Sequence, residues 1–309
     1  DGQKILTKLL PDMLSIVRGF ELLMVLRAHS GPITTVRFSN DGCKIVSASH
    51  DNTVQIWDVK SGKQLQIFRG HTRPVVAARF SPDGRTVVSY SKDGTIRLWD
   101  VNTGTEVKKF ARDSNTLNIE FSHDGKYIVS SFQYGKIQLR DLHSGIIIKQ
   151  LLEYSTKVFN TQFSTDGKML VSSSSDKRMN LWNIESCERL KQFKGHSDLV
   201  KRATFSPDSK FIVSCSGDRT IRIWNIETGT ECKILEGHSR PVNDVKYFPD
   251  GQTIVSCSND NTIRLWNVEF GKMVQRLKGS FSSVTCVDIS KNGNTIVSGS
   301  QDCKIRIWG

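Results

Sequence analysis

Hydrophobic residues along this chain occur in short runs separated by turn signals. Runs such as RTVVSYS (85–91) and TIRLWD (95–100) are rich in β-branched and aromatic residues and are too short for helices. Turns of the form Ser-x-Asp-Gly recur between runs, as in SNDG (39–42), SPDG (81–84) and SHDG (122–125). Asp followed by Gly supplies the positive φ that a tight hairpin needs. The pattern predicts an all-β fold of short antiparallel strands.

The tryptophans give this pattern a fixed period. All six lie in one series, at Trp57, Trp99, Trp182, Trp224, Trp266 and Trp308, and the spacing is 42 residues except for one gap of 83. Arg140, within IQLRD, occupies the missing position in that gap. The series therefore has seven members, and a period of roughly 40 to 45 residues is typical of a propeller blade with four strands.

The two ends of the chain indicate how the ring closes. The last repeat stops at Trp308-Gly309, at the end of a third strand, whereas ELLMVLRAH (21–29) lies 42 residues before the matching KQLQIFRGH (63–71). The N-terminal strand is therefore expected to be the fourth strand of the C-terminal blade, which removes an exposed sheet edge. We predict a single closed seven-bladed β-propeller, four antiparallel strands per blade, over residues 20–309.

Residues 1–19 lie outside this repeat and form a predicted N-terminal extension. Their apolar residues have roughly helical spacing, although Pro11 would interrupt a helix. The extension is a partner-binding helix, the remainder of a preceding domain, or a flexible tail that is helical or disordered.

Composition narrows the functional classes. No apolar stretch approaches the roughly 18 to 20 residues of a spanning helix, so we expect a protein without membrane insertion or a signal peptide. Seven cysteines without a C-x-x-C pair argue against a disulfide framework and a zinc site, and we expect reduced, buried thiols. A cytoplasmic or nuclear location fits these features. The net charge of +12 favours acidic partners, although it also fits a surface that is charged only for solubility.

The repeat resembles that of the WD-repeat family across essentially all of residues 20–309. The G-H and W-D signature appears in GHTRPVVAARFSPDGRTVVSYSKDGTIRLWD (70–100), and as W-N in GHSDLVKRATFSPDSKFIVSCSGDRTIRIWN (195–225). Several full copies at fixed spacing make the resemblance highly specific. It implies a rigid ring that assembles complexes through its faces, usually without catalysis.

The resemblance also implies a hydrogen-bonded structural tetrad of His, Ser, Asp and Trp in a blade. Four blades carry all four types, at His29, Ser49, Asp51 and Trp57; His71, Ser91, Asp93 and Trp99; His196, Ser216, Asp218 and Trp224; and His238, Ser258, Asp260 and Trp266. Ser, His and Asp are also the elements of a hydrolase triad. A catalytic site is needed only once, however, whereas this set recurs with a Trp in four blades. We therefore interpret these residues as structural, with no catalytic residue, metal site or cofactor.

Blades 3 and 4 depart from the repeat. In blade 3, Asp113 replaces the His, Tyr134 the Asp and Arg140 the Trp, and in blade 4 Tyr154 replaces the His. The last blade has Ser280 at the His position. Tyr and Arg are frequent anchors of interfaces, so Tyr134, Arg140 and Tyr154 form a candidate second surface. The alternative is neutral divergence, which a closed ring tolerates.

In the family, specificity is usually set on the top face, around the channel. The corresponding positions carry Lys92 and Lys201 and no acid, and further basic residues lie in the same loops, offset in part by Asp198. The candidate partner-binding residues are Thr34, His50, Arg73, Val76, Lys92, Leu117, Lys157, Phe159, Lys201, Arg240, Asn243 and Thr285.

The sequence thus predicts a non-enzymatic scaffold or adaptor in a multiprotein complex. Its partners are expected to be proteins with acidic or phosphorylated segments, and no small-molecule substrate is expected. The alternative is a nucleic-acid-associated subunit of a ribonucleoprotein or chromatin complex, which the positive charge would also suit.

Overall fold

The computed structural model describes residues 19–110, 116–152 and 157–309, and these residues form 28 strands in seven four-stranded sheets. Strand β1 is Leu22–Arg27. Blade 1 contains β2–β5 (Ile33–Phe38, Lys44–Ser49, Val54–Asp58, Gln64–Phe68), blade 2 β6–β9 (Val75–Phe80, Thr86–Ser91, Ile96–Asp100, Glu106–Phe110), and blade 3 β10–β13 (Thr116–Phe121, Tyr127–Phe132, Lys136–Asp141, Ile147–Leu152). Blade 4 contains β14–β17 (Val158–Phe163, Met169–Ser174, Arg178–Asn183, Arg189–Lys194) and blade 5 β18–β21 (Val200–Phe205, Phe211–Ser216, Ile221–Asn225, Glu231–Leu235). Blade 6 contains β22–β25 (Val242–Tyr247, Thr253–Ser258, Thr262–Asn267, Lys272–Lys278) and blade 7 β26–β28 (Val284–Ile289, Ile296–Ser300, Lys304–Trp308).

The N-terminal strand completes the last blade, as the sequence predicts. The seventh sheet has the order β1-β28-β27-β26, and β1 pairs antiparallel with β28 from Leu22, opposite Trp308, to Arg27, opposite Lys304. The first strand of every blade lies innermost, and each of these strands contacts the first strands of the two neighbouring blades, with β2 touching both β6 and β26. The ring is therefore closed at seven blades. The predicted extension at residues 1–19 lies outside the described residues except for Gly19.

The hairpin turns between the first and second strands follow the Asp-Gly prediction. In blade 2, the Ser81 hydroxyl donates to Asp83, and Gly84 has a φ of +70°. The blade 5 turn, SPDS, has no glycine, and Ser209 takes the left-handed conformation with a φ of +54°. A non-glycine residue pays a steric cost in that region, so glycine is the better residue here.

The hydrophobic core is divided among the blade interfaces. Each of the seven clusters found among the described residues joins two successive blades; for example, Val46 and Phe68 of blade 1 pack with Val75 and Trp99 of blade 2. Phe68 stacks on Trp99 with ring centroids 5.2 Å apart. The strand residues that point toward neighbouring blades are therefore apolar on both faces of each sheet, which explains the near-continuous hydrophobic runs of the second and third strands.

Candidate functional site

The repeated polar residues form a continuous hydrogen-bond chain inside a blade. In blade 2, Trp99 Nε1 donates to Ser89 Oγ at 2.8 Å, Ser89 Oγ lies 2.8 Å from His71 Nε2, and His71 Nδ1 lies 2.9 Å from Asp93 Oδ2. Because the ionised Asp93 carboxylate can only accept, His71 carries its proton on Nδ1 and donates to Asp93, and in the neutral imidazole Nε2 then accepts from the Ser89 hydroxyl. A neutral imidazole satisfies every member of this chain.

The same geometry recurs in three more blades. The His Nδ1 to Asp Oδ2 distance is 2.8 Å in each, and the serine bridges the His and the Trp, in the sets His29, Ser47, Asp51 and Trp57; His196, Ser214, Asp218 and Trp224; and His238, Ser256, Asp260 and Trp266. The predicted association of His, Asp and Trp is therefore present in all four blades.

The predicted serines are wrong by two residues. Ser49, Ser91, Ser216 and Ser258 do not reach the Trp; the bridging serines are Ser47, Ser89, Ser214 and Ser256. Ser47 is diagonal to Trp57, whose direct partner is Ile45, whereas Ser49 lies two residues, or about 7 Å, farther along the strand. The sequence held a signal for the correct position, because all seven repeats have serine there and blade 3 has Phe132 at the other.

The serines that the sequence analysis assigned to the tetrads bind the backbone of the loops instead. The Ser91 hydroxyl donates to the Arg73 carbonyl at 2.7 Å and accepts from the Asp93 amide. Asp93 also accepts from the Thr72 amide and the Thr95 hydroxyl. The turn between the second and third strands is thus tied to the loop that enters the blade.

These bonds change the acidity of the aspartates. Burial alone would raise the pKa of Asp93, but hydrogen bonds from Thr95, His71 and the Thr72 amide lower it to about 2. The pKa values of Asp51, Asp218 and Asp260 are also lowered, against burial, by bonds from their histidine and threonine neighbours. Burial lowers the pKa of His71 and His238, which favours the neutral imidazole.

We expect the free energy of unfolding to fall as the pH drops from about 4 toward 2. The folded-state pKa of Asp93 lies below the ordinary value of 3.8, so its stabilisation is complete above pH 3.8 and is lost as the pH falls toward 2. Urea unfolding at pH 6, 4 and 3 measures the slope, and Asp93→Asn should reduce it. An unchanged slope in the variant would contradict the assignment.

The described residues of blade 3 do not form this network. Ser130 lies at the bridging position with its hydroxyl buried and without a hydrogen-bond partner among the described residues. Arg140, at the Trp position, lies over the Phe110 ring at 5.5 Å and donates to the Gly145 carbonyl. The predicted replacements Asp113 and Tyr154 lie outside the described residues. In blade 7, Ser280 bonds to the Ser282 carbonyl and to Ser300, and so holds the loop locally.

The structure does not bring the candidate second surface together. Tyr134 is 75% exposed in the turn before β12, whereas Arg140 lies near the other end of that strand. The strand steps from Lys136 to Arg140 alone span about 13 Å, and Tyr134 lies beyond them in the turn. A joint Tyr134 and Arg140 anchor is therefore wrong, because the strand places the two residues at opposite faces of the ring.

The top face consists of the loops that precede each innermost strand together with the turns between the second and third strands. The His50 amide donates to the Pro32 carbonyl and the Lys92 amide to the Pro74 carbonyl, so these two kinds of loop lie side by side. His50, Arg73, Lys92, Lys157 and Arg240 are exposed there, and Val76, Leu117 and Phe159 are half-buried. Burial and the Lys92 charge lower the pKa of His50.

Several of the predicted top-face residues have structural partners, as the following contacts show. Thr34 donates to the Val75 carbonyl of blade 2, and Thr285 donates to the Ile33 carbonyl of blade 1. Asn243 donates to the Val284 carbonyl of blade 7, and its amide oxygen accepts from Lys201 at 2.6 Å. These side chains link successive blades, an arrangement that the sequence positions did not reveal.

A cavity of about 620 Å³ opens on the top face between blades 2 and 3. Arg73, Val76, Lys92 and Leu117 line it, and Gln133 and Tyr90 lie in the same wall. Two exposed cations and two apolar side chains therefore surround one concave surface. A smaller cavity, of about 330 Å³, contains Arg240 and the 94% exposed Phe281.

Other chemistry is sparse in the described part of the chain. No group of three His, Cys, Asp or Glu side chains is arranged to hold a metal ion there. The seven cysteines are unpaired; Cys215, Cys257 and Cys286 are buried as expected, but Cys43 and Cys232 are exposed. None of the described residues forms a helix with the length and apolarity that a membrane crossing requires.

Comparisons with known proteins agree with the repeat. The family described as "IFT122 first beta-propeller" matches residues 1–191, and the family "WD domain, G-beta repeat" matches 187–225, 229–267 and 271–309. A curated protein of Xenopus laevis, "Dynein assembly factor with WD repeat domains 1", is 44% identical over 48 residues, or 16% of this chain and 12% of that protein. Its Danio rerio namesake is 42% identical over 48 residues, with the same coverage.

The family matches and the matches to curated proteins cover different lengths of the chain. The 48-residue segment is little longer than one repeat and spans only 12% of the curated relatives, so it indicates likeness between blades. The family matches extend along the whole ring. Propellers of this kind are generally non-catalytic scaffolds for protein interactions. The chain belongs to the WD-repeat family, and its first 191 residues to the family of the first β-propeller of IFT122.

Proposed function

We propose that this propeller is a non-enzymatic scaffold that binds an acidic or phosphorylated segment of a partner protein on its top face. The observation that carries the proposal is the 620 Å³ cavity between blades 2 and 3, which combines the cations Arg73 and Lys92 with the apolar side chains Val76 and Leu117. An extended peptide with carboxylate or phosphate groups next to an apolar residue would complement this surface in charge and in shape.

The charge at the cavity supports an acidic ligand. Among the described residues that line the cavity, Asp93 is the acid, and its two oxygens already accept bonds from His71, the Thr95 hydroxyl and the Thr72 amide. Its carboxylate is thus occupied by the blade, whereas the side chains of Arg73 and Lys92 are exposed. A ligand would therefore meet cations at the rim and apolar surface deeper in the cavity.

The tetrads support a non-enzymatic role. The bridging serine hydroxyls are fully buried and hydrogen-bonded within the sheet, so a substrate cannot approach them. The unit also recurs in four blades, whereas catalysis needs one nucleophile beside one oxyanion site.

Family membership and charge support a proposal for the location and the partners. We infer that the protein acts in the cytoplasm or the nucleus, with its partners among the subunits of a multiprotein complex. A nucleic acid is the competing partner, because the chain carries a net charge of +12.

Charge reversal on the top face tests the proposal. Arg73→Glu with Lys92→Glu is expected to weaken binding of the principal partner about tenfold, since two attractive contacts become repulsive. Partners are identified by affinity purification with mass spectrometry, and the affinity of the recovered partner is then measured with purified proteins.

A matched control reverses two exposed cations in turns at the opposite face. Lys60→Glu with Arg85→Glu changes the net charge equally and should leave partner binding intact. Equal loss in both double variants, or no loss in either, would refute the top-face assignment. Binding of a single-stranded RNA with steep salt dependence that only the top-face variant loses would favour the nucleic-acid alternative.

A further inference from the structure

Charged side chains line the central channel at one level of the ring. The fifth residue of each innermost strand carries this level, in chain order Arg37, Arg79, Glu120, Gln162, Thr204, Lys246 and Asp288. Arg202 and Asp244, at the third position of their strands, lie close to the same level. Buried charges in such a place are costly unless they are paired, so their partners determine what the channel can hold.

Each acidic side chain of this cluster forms an ion pair with a cation. Asp244 contacts Arg37 at 3.1 Å and Arg202 at 2.9 Å. Glu120 contacts Arg79 at 3.0 Å, and Asp288 contacts Lys246 at 2.5 Å. Four cations (Arg37, Arg79, Arg202 and Lys246) therefore face three carboxylates (Asp244, Glu120 and Asp288), and one positive charge is left over.

The excess charge lies with Arg79 and Arg202. Arg79 Nε donates to Glu120 and Nη1 to the Ala78 carbonyl, but Nη2 has no hydrogen-bond partner among the described residues, although the side chain is only 6% exposed. Arg202 Nε is likewise buried and without a hydrogen-bond partner in the described part of the chain. Two buried guanidinium N–H groups in the channel, on Arg79 and Arg202, therefore have no acceptor among the described residues.

The acidity of the arginines reflects this imbalance. Burial and the neighbouring Arg37 charge lower the pKa of Arg79 to about 10. For Arg37, burial also acts downward, but Asp244 and Asp288 more than offset it and raise the pKa above its ordinary value. Arg37 is therefore fully compensated by acids, whereas Glu120 compensates Arg79 only in part.

A cavity of about 150 Å³ lies against these groups. Arg37, Arg79, Arg202, Lys246 and Gln162 are in its wall, together with the paired acids Glu120 and Asp288. This volume accommodates several waters, and therefore also one oxyanion with four oxygens around a central atom. Guanidinium groups match the oxygens of such anions with charge-assisted bonds.

We propose that this cavity, the channel anion site, binds a tetrahedral oxyanion of the phosphate or sulfate class through the free donors of Arg79 and Arg202. The anion balances the surplus charge and links blade 2 to blade 5 across the channel. Because it binds only the folded ring, it stabilises the protein by mass action. This site is separate from the top-face cavity and does not depend on the proposed function.

Titration calorimetry and thermal unfolding test the proposal, with inorganic phosphate added at constant ionic strength to protein prepared in chloride. Phosphate is expected to bind with one-to-one stoichiometry and to raise the unfolding temperature, whereas added chloride should not. An absence of phosphate binding at millimolar concentration would mean that water fills the cavity, and would overturn the proposal.

Gln162→Glu is the most informative variant. It is nearly isosteric, its side chain can still accept from the Phe205 amide, and it places a fourth carboxylate beside the arginines. Phosphate affinity should fall at least tenfold while the protein folds normally. Gln252→Glu makes the same charge change in an exposed turn outside the cavity and should leave phosphate affinity unchanged. Equal affinities in the two variants would overturn the proposal.

Two further binding measurements show where phosphate binds and whether the ligand is the free ion or a phosphoryl group of a larger molecule. The Arg73→Glu and Lys92→Glu double variant should retain phosphate binding; if that variant loses it, the anion binds on the top face and the channel assignment is wrong. O-phosphoserine distinguishes the two sources of the oxyanion. Phosphate binding without O-phosphoserine binding supports the free inorganic ion, whereas binding of both, each lost in Gln162→Glu, supports a phosphoryl group of a larger molecule.

Discussion

A chain that begins at His29 is expected to melt about 6 °C or more below a chain that begins at Gly19, with a broader transition. The missing segment carries β1, which pairs with β28, and the side chains of Phe20 and Leu26, which pack between blades. Burying two such side chains contributes about 3 to 6 kcal/mol, and each kcal/mol shifts the melting temperature of a domain of this size class by about 2 to 4 °C. Differential scanning calorimetry of both chains measures the shift.

The physical reason is the loss of ring closure. Without β1, strand β28 becomes an unpaired edge, and Phe20 no longer contacts the Phe248 ring at 5.7 Å or exchanges backbone hydrogen bonds with the Gln275 side chain. Blades at the break then pack on one side only, so they unfold before the rest of the ring.

Single substitutions in β1 provide the matched control. Leu26 is 6% exposed and Leu23, on the same strand, is 64% exposed. Leu26→Ala should cost about 2 to 5 kcal/mol, whereas Leu23→Ala should change stability by less than about 0.5 kcal/mol. Indistinguishable melting of the two chain lengths, or of the two leucine variants, would show that β1 does not hold the ring closed.

Ser89→Ala is expected to destabilise the propeller by about 2 to 5 kcal/mol. The substitution leaves the Trp99 indole without an acceptor and His71 Nε2 without a donor, and both groups are buried. Each stranded polar group costs about 1 to 3 kcal/mol. The loss is measured as the change in the free energy of unfolding in urea.

Blade 3 provides the control for this prediction. Ser130 occupies the same position in its repeat, but its buried hydroxyl has no hydrogen-bond partner among the described residues. Ser130→Ala should therefore be neutral or slightly stabilising. Ser91→Ala, which removes bonds to the Arg73 carbonyl and the Asp93 amide, should cost about 1 kcal/mol. A larger loss for Ser91→Ala than for Ser89→Ala would contradict the bridging role of Ser89.

The unequal blades have a consequence for how the ring tolerates change. In blade 3, Arg140 covers the Phe110 ring in place of a tryptophan, and Ser130 is buried without the network that uses serine elsewhere. The blade still packs against blades 2 and 4 through apolar residues such as Ile128 and Leu151. Packing on both sides therefore maintains a blade whose described residues do not form the internal polar network.

The sequence alone determined the number of blades, the strand content and the closure of the ring. These properties follow from local signals that repeat every 41 or 42 residues: short apolar runs, Asp-Gly turns and the tryptophan near the end of six of the seven third strands. Ring closure was predicted from the match between residues 21–29 and 63–71. The N-terminal strand has no blade of its own and the last blade lacks its fourth strand, so in a ring the N-terminal strand completes the last blade.

The tertiary structure decided which side chains meet. The bridging serine is Ser89 and not Ser91 because the pairing register places Val87 opposite Trp99 and Ser89 diagonal to it. Thr34 and Thr285 bond to the backbone of the next blade, and Tyr134 and Arg140 lie at opposite ends of one strand. Local periodicity could not reveal these relations, because they depend on strand register and on the approach of neighbouring blades.

The charged residues of the channel show most clearly which contacts the sequence alone could not predict. Arg37 and Asp244 are 207 residues apart in sequence and lie on blades 1 and 6, yet their side chains are 3.1 Å apart. Within its own repeat, each of these charged residues belongs to no motif that would indicate its partner. Only the closed ring brings seven innermost strands around one axis, and the balance of charge on that axis belongs to the assembled ring and to no single blade.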